Sequence, residues 1–165
     1  MSDTFQHMNV GEAMKSLSNQ QDKQEALERL SNLSIDSERR WGRMTAHQMV
    51  CHLTDAFKAA TGEKEASPAG NLLYRTVGKW YALRVPIKWP RGVQTRPEMD
   101  QTIGGTRPDE FESDRKKLEQ IVARFTAQQR DFQWHPHPIF GQMTEEEWLR
   151  WGYLHMDHHL RQFGA

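Results

Sequence analysis

Three histidines have the type and spacing of metal ligands. His155 and His159 are four residues apart, which on a helix places them on one face with their Cβ atoms about 5 to 6 Å apart. His52 lies at the margin of the apolar stripe of an earlier segment. Neutral imidazoles bind zinc, nickel, copper or iron, and a set of three leaves a position open for water or substrate. The pattern therefore predicts an open, mononuclear metal site.

The other histidines are separated from these three by geometry. His158 lies about 100° around the helix from His159, away from the apolar stripe, and His47 falls on the polar side of its own helix. The rest belong to a proline-rich turn or to the first residues of the chain: His135, His137 and His7. Of these, only His137 could approach the mouth of the site. For each inward histidine the alternative is a core residue whose ring nitrogens are satisfied by hydrogen bonds.

A histidine ligand usually has its second ring nitrogen held by a carboxylate, a carbonyl or water. By position the candidates for this role are Gln48, Asp55 and Gln162, and each could equally be an ordinary polar residue at the end of a bundle. Cys51 adjoins His52 in sequence, but adjacent helix residues diverge by about 100°. Cys51 is therefore predicted to be a small helix residue rather than a ligand or a nucleophile.

The two segments that carry the candidate ligands have clear helix-start signals. Thr45 with Gln48, and Thr144 with Glu147, have the spacing of a capping box. These signals predict two helices, over about 46–61 and from about 145 to near the chain end.

Further segments complete the predicted architecture. Apolar stripes predict helices over 22–33 and over 108–129, the second with Pro108 at its first position. The aromatic and apolar run 71–83 predicts a buried third helix, with a short strand pair as the alternative. Residues 84–108 hold four of the seven prolines and a Gly-Gly pair, so they predict a long loop without regular structure. The sequence therefore predicts an all-α four-helix bundle with a long loop before the fourth helix.

The long loop interleaves cations with an aromatic side chain: Arg84, Lys88, Trp89, Arg91 and Arg96. Grooves that bind single-stranded nucleic acid use the same residue types at a higher density. The loop is therefore predicted to be a lid over the metal rather than a nucleic-acid surface.

Composition restricts the possible partners and location. Lys plus Arg number 22, and so do Asp plus Glu, so no net charge attracts nucleic acid or an anionic membrane. No run approaches the roughly 20 apolar residues that span a bilayer, and the first residues lack a secretory signal pattern. One cysteine fits a reducing compartment. We expect a single domain over 1–165, cytoplasmic, without a membrane or nucleic-acid partner.

Three stretches carry a family resemblance: WGRMTAHQMVCHLTDA at 41–56, HPIFGQMTEEEW at 137–148 and HMDHHLRQFG at 155–164. Together they resemble the DinB-like superfamily of metal-binding four-helix bundles, and more narrowly one of its uncharacterised branches. The resemblance implies a bundle with an unusual connection between its second and third helices, nickel or zinc as the metal, and a homodimer. The ligands that it implies are His52, His155 and His159.

The resemblance leaves the reaction open. Some relatives resemble transferases that couple low-molecular-weight thiols to electrophiles, and others resemble isomerases or hydrolases. This chain has Leu160, Arg161 and Gln162 where the usual ending is R-G-Q, which weakens the transfer of a thiol-transferase activity. We expect a metal-dependent enzyme, either a thiol S-transferase or a hydrolase, with catalytic residues other than the ligands unknown. The alternative is a non-catalytic, dimeric binding or stress-response protein, which a fourth protein ligand would favour.

Overall fold

The computed structural model describes residues 14–165, and His7 lies outside this range. Five α-helices form within it: α1 (Gln20–Ser31), α2 (Ala46–Ala60), α3 (Lys79–Arg84), α4 (Phe111–Phe125) and α5 (Glu145–Gln162). A π-helical turn (Tyr74–Gly78) leads into α3, and a 3-10 turn (Pro97–Met99) precedes α4. No β-strand occurs among the described residues, where a single antiparallel bridge joins His137 to Gly141. The all-α prediction is confirmed for this part of the chain.

Capping boxes fix the start of both helices that carry the candidate ligands. The Thr45 side chain accepts a hydrogen bond from the Gln48 backbone N–H, and the Gln48 side chain accepts one from the Thr45 N–H. Thr144 and Glu147 make the same reciprocal pair before α5. These bonds satisfy backbone donors that would otherwise lack a partner in the first turn. Both predicted capping boxes are confirmed.

The core lies where α2 packs against α4 and α5, and α1 packs against α5. Phe57 of α2 and Phe125 of α4 are fully buried, with ring centroids 4.7 Å apart in an edge-to-face contact. Gly152 lets α5 approach this pair, because a Cβ there would lie 3.1 Å from each of the two phenylalanine rings. The close contact brings the histidine-bearing faces of α2 and α5 together.

The segment predicted as a buried third helix is helical but not buried. Large side chains of the π-helical turn and α3 lie on the surface, with Val77 60% and Trp80 61% exposed, whereas Leu83 near the end of α3 is buried. The prediction of burial was wrong because apolar content alone does not tell a core helix from one that presents an apolar surface. No helix described here has both the length and the apolar character needed to cross a membrane.

Two boundaries in the second half of the chain also differ from the prediction. α4 begins at Phe111, not at Pro108, because the Glu110 side chain accepts the free backbone N–H groups of Glu112 and Ser113. The predicted structureless loop contains the 3-10 turn, whose Met99 is 5% exposed. Gly105 closes this part of the loop, since a Cβ there would lie 2.7 Å from the Asp100 carbonyl carbon.

Candidate metal site

The structure brings together the three histidines that the sequence predicts as ligands. His52 of α2 faces His155 and His159 of α5, and the candidate ligand atoms of all three lie within 4.8 Å of one another. His52 Nε2 and His155 Nε2 are 3.2 Å apart. Two ligands about 2.0 to 2.1 Å from a tetrahedral ion are separated by roughly 3.3 Å. The observed spacing therefore matches that of nitrogens on one ion.

A backbone carbonyl fixes the orientation of His52. Its Nδ1 lies 3.0 Å from the carbonyl oxygen of Met99. A carbonyl oxygen can only accept, so Nδ1 carries the proton and donates it. In the neutral ring Nε2 then has a free lone pair, and this lone pair points toward the other two histidines.

A side-chain amide fixes His159 in the same way. Gln162 Nε2 donates to the carbonyl oxygen of Trp41 at 2.8 Å, so the amide oxygen is turned toward His159 Nδ1 at 2.9 Å. Nδ1 therefore carries the proton, which leaves the lone pair of the neutral ring on Nε2. Of the three residues proposed from sequence to orient a ligand histidine, Gln162 is the one that hydrogen-bonds to a candidate ligand.

Of the three candidate ligands, His155 is the one whose proton position is not fixed by any group of residues 14–165. Its Nδ1 is buried without a hydrogen-bond partner in the described part of the chain. If the proton is on Nε2, His155 donates a hydrogen bond to His52 Nε2. If the proton is on Nδ1, the Nε2 lone pairs of all three histidines face one another. The second arrangement is the one a divalent ion requires, so the donor set fits a metal ion.

Burial keeps the three rings uncharged. It lowers the pKa of His52, and it lowers the pKa values of His155 and His159 further, with added repulsion from the neighbouring imidazoles. No carboxylate or thiol of residues 14–165 joins this group. The site thus offers three neutral ligands, which leave the full positive charge of an ion available to polarise a further ligand.

The long loop covers one side of the histidine cluster. The Trp89 ring centroid lies 6.1 Å from that of His155 and 6.4 Å from that of His158, and its Nε1 donates to the Ala82 carbonyl. Arg91 stacks over the Trp41 ring at 4.1 Å. His158 is beside the cluster and outside the ligand group, as the helical wheel predicts, and its Nδ1 is buried without a partner.

The other two candidates for holding a ligand have different roles. Gln48 belongs to the capping box of α2. The buried carboxylate of Asp55 accepts hydrogen bonds from the Thr106 N–H at 2.7 Å and the Thr106 hydroxyl at 2.6 Å. It therefore fastens the loop to α2 rather than orienting His52. Sequence reasoning missed the Met99 carbonyl, and no sequence signal could have found it, because every residue has a backbone carbonyl.

His47 was placed wrongly on the polar side of α2. It is 8% exposed, and its Nε2 lies 2.8 Å from Asp114 Oδ2 on α4. The buried thiol of Cys51 lies 3.6 Å from the same oxygen. Burial and the nearby Asp114 charge raise the pKa of Cys51 to about 12. Burial also opposes ionisation of Asp114, but hydrogen bonds from Lys117, the Asp109 N–H and His47 outweigh it and lower the pKa of this carboxyl.

The proline-rich turn holds its histidines away from the three-histidine group. His137 Nδ1 accepts the backbone N–H groups of Ile139 and Phe140, each at 3.1 Å. Burial lowers the pKa of His137 to about 3. The His135 backbone N–H donates to the Ala60 carbonyl at the end of α2. Both residues shape the turn that leads into α5.

Comparison with known proteins gives a family without an assigned reaction. No curated protein and no solved structure matches the chain. A family profile matches residues 12–165, almost the entire sequence. The chain therefore belongs to the family described as protein of unknown function DUF1569.

Proposed function

We propose that this protein is a metal-dependent enzyme whose divalent ion is held by His52, His155 and His159. The observation that supports this most is the convergence of imidazole lone pairs, two of them fixed by the Met99 carbonyl and the Gln162 amide. Histidines that serve only the core would satisfy one another, whereas here a single proton on His155 Nε2 can be donated to only one of the two other rings, His52 at 3.2 Å. Nickel or zinc suits this ligand set.

When bound, such an ion supplies Lewis acidity that lowers the pKa of a thiol or a water. The protein's own thiol is a poor nucleophile, because Cys51 is 2% exposed and its pKa is raised to about 12. The attacking group therefore comes from outside the chain, as a low-molecular-weight thiol or as water. We propose thiol S-transfer to electrophilic small molecules, or hydrolysis, as the reaction.

The test begins with the metal content of protein purified without a histidine tag. The loaded protein is then assayed for glutathione-type thiol conjugation to an electrophilic arene and for ester hydrolysis. We expect one of the two activities, and in His52→Ala the loss of that activity together with the ion of the three-histidine group. His135→Ala is the matched control, because His135 lies outside the three-histidine group. Metal binding with neither activity would overturn the enzyme proposal.

Burial of the site favours a second candidate function. His52 is 7% and His159 9% exposed, so a substrate could reach an ion there only from the side of His155 and Trp89. A non-catalytic metal-binding protein would have a saturated site, in which a fourth protein ligand closes the coordination. Absorption spectra of the cobalt form distinguish the two functions, since an open site changes its spectrum when an external thiol or anion is added.

The architecture and the surface support two further parts of this proposal. Four longer helices around one core suit a DinB-like four-helix bundle, and the lone buried Cys51 suits a cytoplasmic protein. We also propose a homodimer formed through the exposed apolar face, which consists of Leu72, Leu73, Tyr74, Val77, Trp80 and Tyr81.

A second copy is the occupant that fits this apolar face. Its six side chains are 52 to 78% exposed, and at roughly 100 to 150 Å² each they provide close to the 800 Å² per partner of a standard interface. Two adjacent cations are already paired, Lys79 with Glu147 at 3.1 Å and Arg84 with Glu146 at 3.1 Å. Paired charges favour a protein partner over an anionic surface.

Sedimentation at micromolar concentration tests the dimer. Val77→Glu should convert it to a monomer, whereas Ile35→Glu, at a similarly exposed apolar residue outside the face, should leave it a dimer. A wild-type monomer would contradict this part of the proposal.

A further inference from the structure

A second buried cluster of metal-ligand types lies on another side of α2. His47 and Cys51 are one helical turn apart on α2, and Asp114 faces them from α4. Their exposed fractions are 8%, 2% and 4%. One nitrogen, one sulfur and one oxygen lie within 4.8 Å of one another. This N, S, O combination is not repeated in the three-histidine group.

A single carboxylate oxygen is the centre of this cluster. Asp114 Oδ2 lies 2.8 Å from His47 Nε2, 3.6 Å from Cys51 Sγ and 3.0 Å from the Asp109 backbone nitrogen. Lys117 Nζ donates to the other oxygen, Oδ1, at 2.8 Å. Lys117 therefore pairs with one carboxylate oxygen, and the other oxygen faces the imidazole and the thiol.

We propose that His47, Cys51 and Asp114 form a second, independent site for a thiophilic divalent cation of the zinc class. Zinc takes Cys, His and Asp ligands at about 2.3, 2.0 and 2.1 Å. Such ligand atoms are roughly 3.3 to 3.6 Å apart, so the thiol and carboxylate already have the required separation. The imidazole and carboxylate must separate by about half an ångström. On binding, the S–H bond breaks, an S–metal bond forms and the proton leaves to solvent.

The charges of this cluster differ from those of the three-histidine group. A thiolate and a carboxylate together balance the charge of a divalent ion, whereas three neutral imidazoles do not. The Lys117 side chain is 52% exposed at the rim, so it can move aside as an ion enters. Asp55, the fully buried carboxylate of α2, lacks a neighbouring thiol or imidazole among its hydrogen-bond partners. The ligand chemistry is thus specific to the Asp114 cluster.

Cobalt titration of the full chain provides a direct test, because Cys51 is the only cysteine. Thiolate coordination to cobalt gives an intense near-ultraviolet charge-transfer band, and imidazole coordination does not. We expect the wild-type protein to develop this band and zinc to displace it. Cys51→Ser should abolish the band and halve the cobalt bound at saturation. His52→Ala should retain the band while it loses the other ion.

A wild-type cobalt complex without the thiolate band would overturn this inference and leave the three-histidine proposal intact. Loss of the band in His52→Ala would also overturn it, since Cys51 would then serve the neighbouring site. If Cys51→Ser does not fold, as judged by the loss of its helical circular dichroism signal, the cobalt titration is carried out with Lys117→Ala instead. Removing this adjacent cation should raise the cobalt affinity of the second site several-fold, because like charges repel. The titration of the charge-transfer band measures this affinity. An unchanged affinity would count against the site.

Discussion

Two buried polar clusters connect α2 to the long loop, and they differ in how completely their atoms are satisfied. The Asp55 carboxylate accepts from Thr106 and Gln101 and pairs with Lys64 at 3.3 Å. In the histidine cluster, His52 Nδ1 donates to the Met99 carbonyl of the loop and His159 Nδ1 donates to Gln162, whereas the Nε2 atoms of His52 and His155 face each other. The hydrogen bonds and the ion pair of the first cluster satisfy its carboxylate, so this cluster serves as a structural joint between α2 and the loop. The second has ring nitrogens that are free to bind an ion, which is what the proposed metal site requires.

The largest expected effect separates the ligand histidines from their neighbours. His52→Ala, His155→Ala and His159→Ala should each lower metal affinity by orders of magnitude, because one of three metal bonds is lost. His158→Ala should cost at most about 10- to 100-fold. Metal content after dialysis against a weak chelator measures the difference. If His158→Ala empties the site and His159→Ala does not, the assignment is wrong.

The second effect should appear at the structural joint. Asp55→Ala leaves the Thr106 and Gln101 donors without their acceptor, so we expect a loss of about 3 kcal/mol in the free energy of unfolding. Urea denaturation measures it, with Asp36→Ala as the exposed control. Metal stoichiometry of the folded fraction should be unchanged. If Asp55→Ala lost metal but kept its stability, Asp55 would serve metal binding rather than the structure of the loop.

A smaller effect tests the amide that holds His159. Gln162→Ala should lower metal affinity by about 10- to 100-fold, because the ring loses the group that fixes its proton on Nδ1. Gln128→Ala, on the exposed turn after α4, should leave the affinity unchanged. Competition with a chelating dye gives both values. Equal affinities in the two variants would show that the Gln162 hydrogen bond does not orient a ligand.

The smallest effect concerns the start of the helix that carries two of the histidines. Thr144→Ala removes one half of the capping box of α5 and should lower the free energy of unfolding by about 1 kcal/mol. Metal affinity should stay the same, because the cap lies three turns from His155. Thermal unfolding with and without added metal separates the two quantities. A metal-affinity loss as large as that of Gln162→Ala would contradict this view of the site.

The parts of the site that depend on local spacing could be predicted from the sequence. The pair His155 and His159 and the amide of Gln162 follow from helical geometry alone. The contact between His47 and Asp114 joins residues 67 positions apart, and no periodicity reveals it. The capping boxes and the all-α class could likewise be predicted from the sequence. Burial of 71–83 was not, because an apolar run can face a core or an interface.

The hydrogen bond from His52 to Met99 has a consequence for how the family can vary. The acceptor is a main-chain oxygen, so position 99 can change its side chain without removing the bond. The path of the turn must be kept, and it depends on the glycine at 105. A Cβ there would lie 2.7 Å from the Asp100 carbonyl carbon. Aligned sequences would therefore show an invariant glycine at position 105, whereas residue 99, whose side chain is 5% exposed, can vary among apolar residues although its main chain holds the histidine.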